Sequence, residues 1–242
     1  MTLEEQLVES MVDQANGEAE GLAAIATAVA GGVYLGPRHN EYGPCDALAW
    51  AVRRSWPRAV EALVAAGSPL HADPMFPAGT EEDSIPFAPF HPLPMALWVL
   101  AQMLGRDASP EEKLTEAQHV ALALVRLGAD PSVPDPFLFK NSLQVWIEEI
   151  QEWAQHDAPE SGFAQDLILE TTERVLDAWP DARMHGWRSA LAQGRGAEWN
   201  LKELVEWPSL GAALVARCRA DFLSDELPSP ASSTPRVMRS RF

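Results

Sequence analysis

The chain is predicted to be all-α, and three observations carry that prediction. Nine stretches place apolar residues at three- and four-residue spacing between helix-starting and helix-ending chemistry. No stretch of useful length alternates strictly between apolar and polar residues, as a half-buried strand would. Two stretches, LVAAGSPL at 63–70 and LVRLGADPSV at 124–133, stop a helical pattern with a glycine and turn at once. Their likeness suggests one building block used more than once.

The first element opens at Thr2-Leu3-Glu4-Glu5, which fits a capping box. The Thr2 hydroxyl and the Glu5 carboxylate would serve free N–H groups of the first turn. Leu3, Leu7 and Met11, with Val8 and Val12, then fall on one face. A second, alanine-rich helix covers roughly 18–30 and stops at Gly31-Gly32, and the stretch 33–44 (VYLGPRHNEYGP) is loop-like. Helices follow at about 47–55 and 57–66. Residues 71–91 hold four prolines, three phenylalanines and the acidic triplet Glu81-Glu82-Asp83, and so form a long loop. Loops of this length inside a domain are usually functional or disordered, and Phe76, Phe87 and Phe90 argue against simple disorder. Further helices are expected at about 93–104, 110–127, 141–155, 162–179 and 200–223. In the helix at 141–155, Leu143, Ile147, Ile150 and Ala154 make an apolar stripe flanked by Trp146 and Trp153, with Glu148, Glu149 and Glu152 pointing elsewhere. The tail after Pro228 is rich in proline and serine and is expected to be flexible.

At 242 residues, 47% of them hydrophobic, the chain has ample material for a core. Its longest apolar run, LAAIATAVA at 22–30, is about half the length a membrane helix needs. The start, MTLEEQLVES, is acidic where a secretory signal is basic, so a cytoplasmic location is expected. Cys45 and Cys218 stand far apart, in no CxxC pattern, which suits a reducing compartment. Thirty-five acids against eighteen bases give a net charge of −17, although residues 228–242 carry three arginines and no acid. Such a surface repels nucleic acids and anionic membranes and attracts basic partners over a Debye length of about 8 Å. The same acidity also serves solubility alone.

The repeated unit can be laid on a known pattern. DALAWAVRRSWPRAVEALVAAGSPL (46–70) aligns without gaps to the ankyrin pattern. Asp46 stands at the threonine cap, Ala47 at the proline, Leu48 at the leucine and Ala51 at the first small residue. Val60, Leu63 and Val64 take the core positions of the second helix, and Gly67 the turn glycine. A second copy begins at HPLPMAL (91–97), with Pro92, Leu93 and Ala96 on the pattern, and closes with HVALALVRLGADP (119–131). It departs from the family by about 28 extra residues between Gly67 and Gly128, some in the loop at 71–91 and some around GRDASPEEK (105–113). A third copy (142–182) has Trp179 where the glycine belongs, and a fourth (185–218) is fainter. The chain resembles a divergent ankyrin-repeat protein.

That resemblance implies an irregular ankyrin-like helical repeat stack, an α-solenoid with an N-terminal helical cap. One domain would span 1–227: a cap at 1–44, repeat 1 and its long loop at 45–91, repeat 2 with an insertion at 92–140, repeat 3 at 141–183 and repeat 4 at 184–227. A flexible tail at 228–242 would follow. Each hairpin would bury one side only and need neighbours to cover the rest.

Candidate chemistry is sparse. The six histidines form neither HExxH nor HxH. His39, Glu41 and Cys45 share one loop, but their spacing matches no standard zinc set, and a plain surface loop is favoured. His119 falls where the repeat exposes side chains and is expected to be solvated. Gly31, Gly32 and Gly36 follow a helix rather than a strand, so a helix end is favoured over a phosphate cradle. Glu148 and Glu152, one turn apart, read as a solvated acidic face rather than a catalytic pair. No catalytic residue, cofactor or metal is therefore expected, and the chain is read as a non-catalytic binder of another, basic protein.

Nine tryptophans are many for this length, and tryptophan is enriched at binding hot spots. Trp56 lies in the turn of the first repeat beside Arg53, Arg54 and Arg58. In ankyrin proteins that edge is a usual docking place, although solvated arginines beside a packed tryptophan would look the same. The candidate contact residues are Arg53, Arg54 and Trp56, with Phe76, Glu81, Glu82, Asp83, Phe87 and Phe90 of the long loop. Two roles are expected for such a binder: a stoichiometric neutraliser, or a scaffold or regulatory subunit of an enzyme complex.

Overall fold

The computed structural model describes residues 2–13, 15–35, 47–71, 91–105, 109–136, 138–156, 162–180, 186–193 and 212–220, leaving out the side chains of residues 4 and 152–156. Among these residues every regular element is helical. The helices are α1 (Leu3–Val12), α2 (Glu18–Ala30), α3 (Ala47–Arg53), α4 (Pro57–Ala65), α5 (Pro92–Leu104), α6 (Glu111–Arg126), α7 (Ser142–His156), α8 (Gly162–Asp177) and α9 (Trp187–Ala192), with α10 over 212–220. No described helix is long and apolar enough to cross a membrane. The chain divides at His185/Gly186 into two compact units.

Helix starts in the first unit follow from local chemistry. The Thr2 hydroxyl accepts the Glu5 N–H at 3.2 Å, and the Glu5 carboxylate accepts the Thr2 N–H at 2.6 Å, closing the expected capping box. Asn141 and Gln144 make the same reciprocal pair at α7, at 2.9 and 3.0 Å. α4 begins with Pro57, which has no N–H to satisfy. The next two donors, Arg58 and Ala59, reach across to the Glu18 carboxylate at 2.7 and 3.1 Å. A carboxylate at the start of α2 therefore caps α4 as well, where the helix dipole favours negative charge.

Helix ends are more uniform still. Gly32, Gly67 and Gly128 have φ of +70°, +101° and +95°. In each case the glycine N–H donates to the carbonyl three residues back, Val29, Val64 or Val125. The following N–H, of Val33, Ser68 or Ala129, donates to the carbonyl five residues back, Ala28, Leu63 or Leu124. This is the Schellman arrangement, and it closes α2, α4 and α6 alike. α3 ends the same way with Ser55 at the corner, at φ +56°, which is why it stops at Arg53 rather than running on to 55. Trp179, after α8, takes no left-handed corner.

Packing follows a simple rule. Each odd helix meets the even helix after it: α1 with α2, α3 with α4, α5 with α6, α7 with α8. Odd helices also meet their odd neighbours (α1–α3–α5–α7), and even helices their even neighbours (α2–α4–α6–α8). Among the described residues no other pair of α1 to α8 makes comparable contact. The first unit is thus four helix hairpins side by side in two ranks. Hydrogen bonds tie neighbours together within a rank. The Ser68 hydroxyl donates to the Leu35 carbonyl at 3.1 Å, and Gln102 Nε2 donates to Glu149 Oε2 at 2.9 Å. Arg126 pairs with Glu61 at 3.0 Å.

The core runs between the ranks. Leu7, Met11, Leu48, Ala51, Val60, Leu63, Leu93, Ala96, Leu97, Leu100, Leu124, Ile147, Ile150 and Leu176 are buried, each large side chain stabilising the fold by roughly 1.5–3 kcal/mol. Ala51 and Ala96, at the small-residue positions, let the odd helices approach. Trp146 is fully buried, and its Nε1 donates to Thr172 Oγ1 at 3.0 Å. Val64, expected in the core, is only half-buried, and the next residues, Ala65 and Ala66, are exposed. In the second unit Trp187, Ala190 and Leu191 of α9 are buried, as are Leu214 and Cys218 of α10. Arg219 Nε donates to the Ala192 carbonyl, capping α9.

Candidate protein-binding face

Every odd helix is covered on one side by the even rank and flanked by its odd neighbours, which leaves an outer stripe. On α3 that stripe carries Trp50 and Arg53, both half-buried, with the guanidinium 5.5 Å from the Trp50 ring centroid. Trp50 Nε1 and Arg53 Nε are shielded from water and donate to nothing. On α5 the stripe continues with the half-buried Trp98 and Val99 and the exposed Gln102. On α7 it carries the half-buried Glu149 that accepts from Gln102, and the exposed Glu148 that pairs with Lys140. The stripe thus brings two half-buried indoles, a guanidinium and an acidic border together on the odd rank.

The three turn residues named from the sequence divide. Trp56 is 8% exposed and packs on Gly21 of α2, where an added Cβ would come within 2.6 Å of its ring. Arg54 lies 4.6 Å over the Trp56 ring and donates to the Asp13 and Asn16 carbonyls at 3.1 and 2.5 Å. These two residues tie the first hairpin to the second; Arg54 is half-buried and bonded to backbone rather than solvated. Arg53, half-buried like Arg54, lies against the Trp50 ring instead. Phe76, Glu81, Glu82, Asp83, Phe87 and Phe90 lie outside the described residues, as do His39, Glu41 and Cys45. Trp50 and Trp98 went unremarked as contact residues. Their signal was present in the sequence, three positions before Arg53 in the first case, but only the rank geometry shows which side of a helix stays uncovered.

At the end where the hairpins connect, the structure joins residues far apart in sequence. His91 is the N-cap of α5, and its N–H donates to Asp135 Oδ2 at 2.8 Å. Asp135 is wholly buried, and its other oxygen accepts the Leu138 N–H at 3.0 Å. Its backbone N–H donates to the Lys140 carbonyl, and its carbonyl accepts from Phe139, both at 2.8 Å. His91 Nε2 lies 3.2 Å from the Pro134 carbonyl, and the His71 ring stands edge-on at 5.5 Å. Burial lowers the His91 pKa from its ordinary value. The Asp135 carboxylate opposes that fall, while His71 adds to it. Held by this arrangement, Phe139 adopts φ +55° and is 83% exposed. Among the described residues no three histidines, cysteines or acids are grouped as metal ligands. His119 is exposed, as expected.

No protein-family model, no curated protein and no solved structure matches the chain.

Proposed function

We propose that this chain is a non-catalytic protein-binding module of the ankyrin-like helical-repeat kind, an α-solenoid whose outer odd-helix face receives its partner. The observation that carries the reading is the packing rule: odd helices on odd, even on even, with one glycine corner closing α2, α4 and α6. A preformed rigid face costs little entropy to engage, which suits capture of a folded protein. The net charge of −17 selects a basic partner, and such binding is fast and salt-sensitive. Within that class the chain acts as a cytoplasmic neutraliser, an immunity protein or inhibitor that occupies a basic toxin or enzyme. The test is co-purification at low salt, followed by titration of the recovered partner across ionic strength. A basic partner whose affinity falls at least tenfold between 50 and 300 mM salt, roughly as surface charge pairing requires, supports the reading. Recovery of no basic protein sinks it.

Trp50 and Trp98 favour a second reading, a scaffold or regulatory subunit of an enzyme complex. That role uses an apolar, constitutive contact, and the same titration separates the two because its affinity would be insensitive to salt.

A further inference from the structure

We propose that Phe139 is a protruding anchor, held out by the loop between α6 and α7 to enter an apolar pocket on the basic partner; the assignment rests on the protein-binding role proposed above and names one of its contacts. Phe139 is the most exposed large apolar side chain among the described residues, at 83%. Its φ of +55° is one that a bulky L-residue rarely adopts, and such strain persists only where the surroundings enforce it. The loop supplies that enforcement. The wholly buried Asp135 accepts the Leu138 N–H at 3.0 Å through one carboxylate oxygen and the His91 N–H at 2.8 Å through the other. The Phe139 N–H donates to the Asp135 carbonyl, and the Asp135 N–H to the Lys140 carbonyl, both at 2.8 Å. The Ser142 N–H closes the base of the loop on the Pro131 carbonyl at 3.1 Å. Pro131, Pro134 and Pro136 each fix a further backbone angle.

A loop that only needed to turn would place glycine or asparagine at the left-handed position and keep its phenylalanine for the core. Here the ring buries little against the fold, and the loop around it is apolar as well. Pro134 and Pro136 are exposed, and Val133 and Leu138 are half-buried, the kind of surface that marks a contact with another molecule. A raised ring offers no concavity to a small ligand, so its counterpart is a cavity in a macromolecule. Because the loop is braced before binding, little conformational freedom is lost when the ring is buried. Charge selects the occupant. Between residues 127 and 151 the acids Asp130, Asp135, Glu148 and Glu149 stand against one base, Lys140, which is itself paired with Glu148. With a net charge of −17, the chain repels a second copy of itself and an anionic membrane, and draws in a protein whose pocket is rimmed by lysine and arginine.

The experiment uses the full chain carrying Phe139→p-benzoylphenylalanine, irradiated in a lysate of the cells it comes from, with the joined residues identified by mass spectrometry. A cross-link to residues lining an apolar pocket of one basic protein is expected. That protein is then titrated with the wild-type chain, Phe139→Ala and Phe139→Leu. Phe139→Ala is expected to weaken binding about tenfold or more through faster dissociation, at low and high salt alike, while Phe139→Leu keeps most of the affinity. A cross-link to a second copy of the chain, to lipid, to an acidic protein or to nothing overturns the anchor. A basic partner whose affinity Phe139→Ala leaves unchanged also overturns it, yet leaves the proposed function standing; recovery of no basic protein removes both. Stability gives a reading that needs no partner. Phe139→Gly relieves the strained angle and is expected to raise the thermal midpoint by about 1–3 °C. A fall of that size would show that the ring serves the fold, and would overturn the proposal.

Discussion

Replacing Gly67 by alanine, and separately Gly128, tests the shared corner directly. A Cβ built at either position finds nothing within 4 Å, so crowding contributes nothing to the cost. What remains is torsional. At φ +101° and +95° an L-residue sits in the left-handed region, which costs about 1–2 kcal/mol. Alanine also restricts the unfolded chain, returning about 0.4–1 kcal/mol. The net expectation is a loss of about 1 kcal/mol at each glycine, equal within about 0.5 kcal/mol. Gly32→Ala, at φ +70° with the same open surroundings, should match them. Ser55→Gly is the mirror experiment: it relieves a non-glycine corner at φ +56° and should gain about 0.5 kcal/mol. Urea denaturation followed by tryptophan fluorescence and far-ultraviolet circular dichroism gives all four values. A neutral Gly67→Ala beside a costly Gly128→Ala would refute the claim that both glycines do one job.

Gly21→Ala should cost about 1–3 kcal/mol in the same assay, since the new methyl must displace the buried Trp56 ring. Arg54→Ala should cost about 1–2 kcal/mol through its two carbonyl bonds and its ring contact. Arg53→Ala should cost about 0.5–1 kcal/mol through its contact with the Trp50 ring and also weaken partner binding. Thermal melting of the wild-type chain should hold level above pH 6.5 and decline below it, with the decline reduced in H91Q.

Most of the first eight helices were legible because their ends are announced locally, whereas α9 (Trp187–Ala192), with no side-chain cap, was not among the expected helices. The box at Thr2 and Glu5, Pro57 at the start of α4 and the corners at Gly67 and Gly128 are short-range chemistry, written within five residues. The second helix, expected at 18–30, spans Glu18–Ala30. The first two helices were expected as a cap; what the sequence did not show is that Gly32 takes the same corner as Gly67 and that the Glu18 carboxylate caps α4. The grouping of His71, His91 and Asp135 was invisible, since it forms only when the α4–α5 and α6–α7 connections meet. Trp56 and Arg54 were named as candidate contacts; what the sequence did not show is that the α1–α2 turn supplies carbonyls to Arg54 and that Gly21 of α2 makes room for the Trp56 ring.

The two-rank arrangement also governs how this chain tolerates growth. Sixty-one positions separate Gly67 from Gly128, against thirty-five between Gly32 and Gly67. Even so, α3 meets α5 and α4 meets α6 just as the preceding helices meet. Where adhesion is confined to adjoining units, surplus chain can bulge outward, and closing a loop twice as long adds only about 0.6 kcal/mol. A tag or reporter domain spliced between α5 and α6 should therefore leave the remaining hairpins in register.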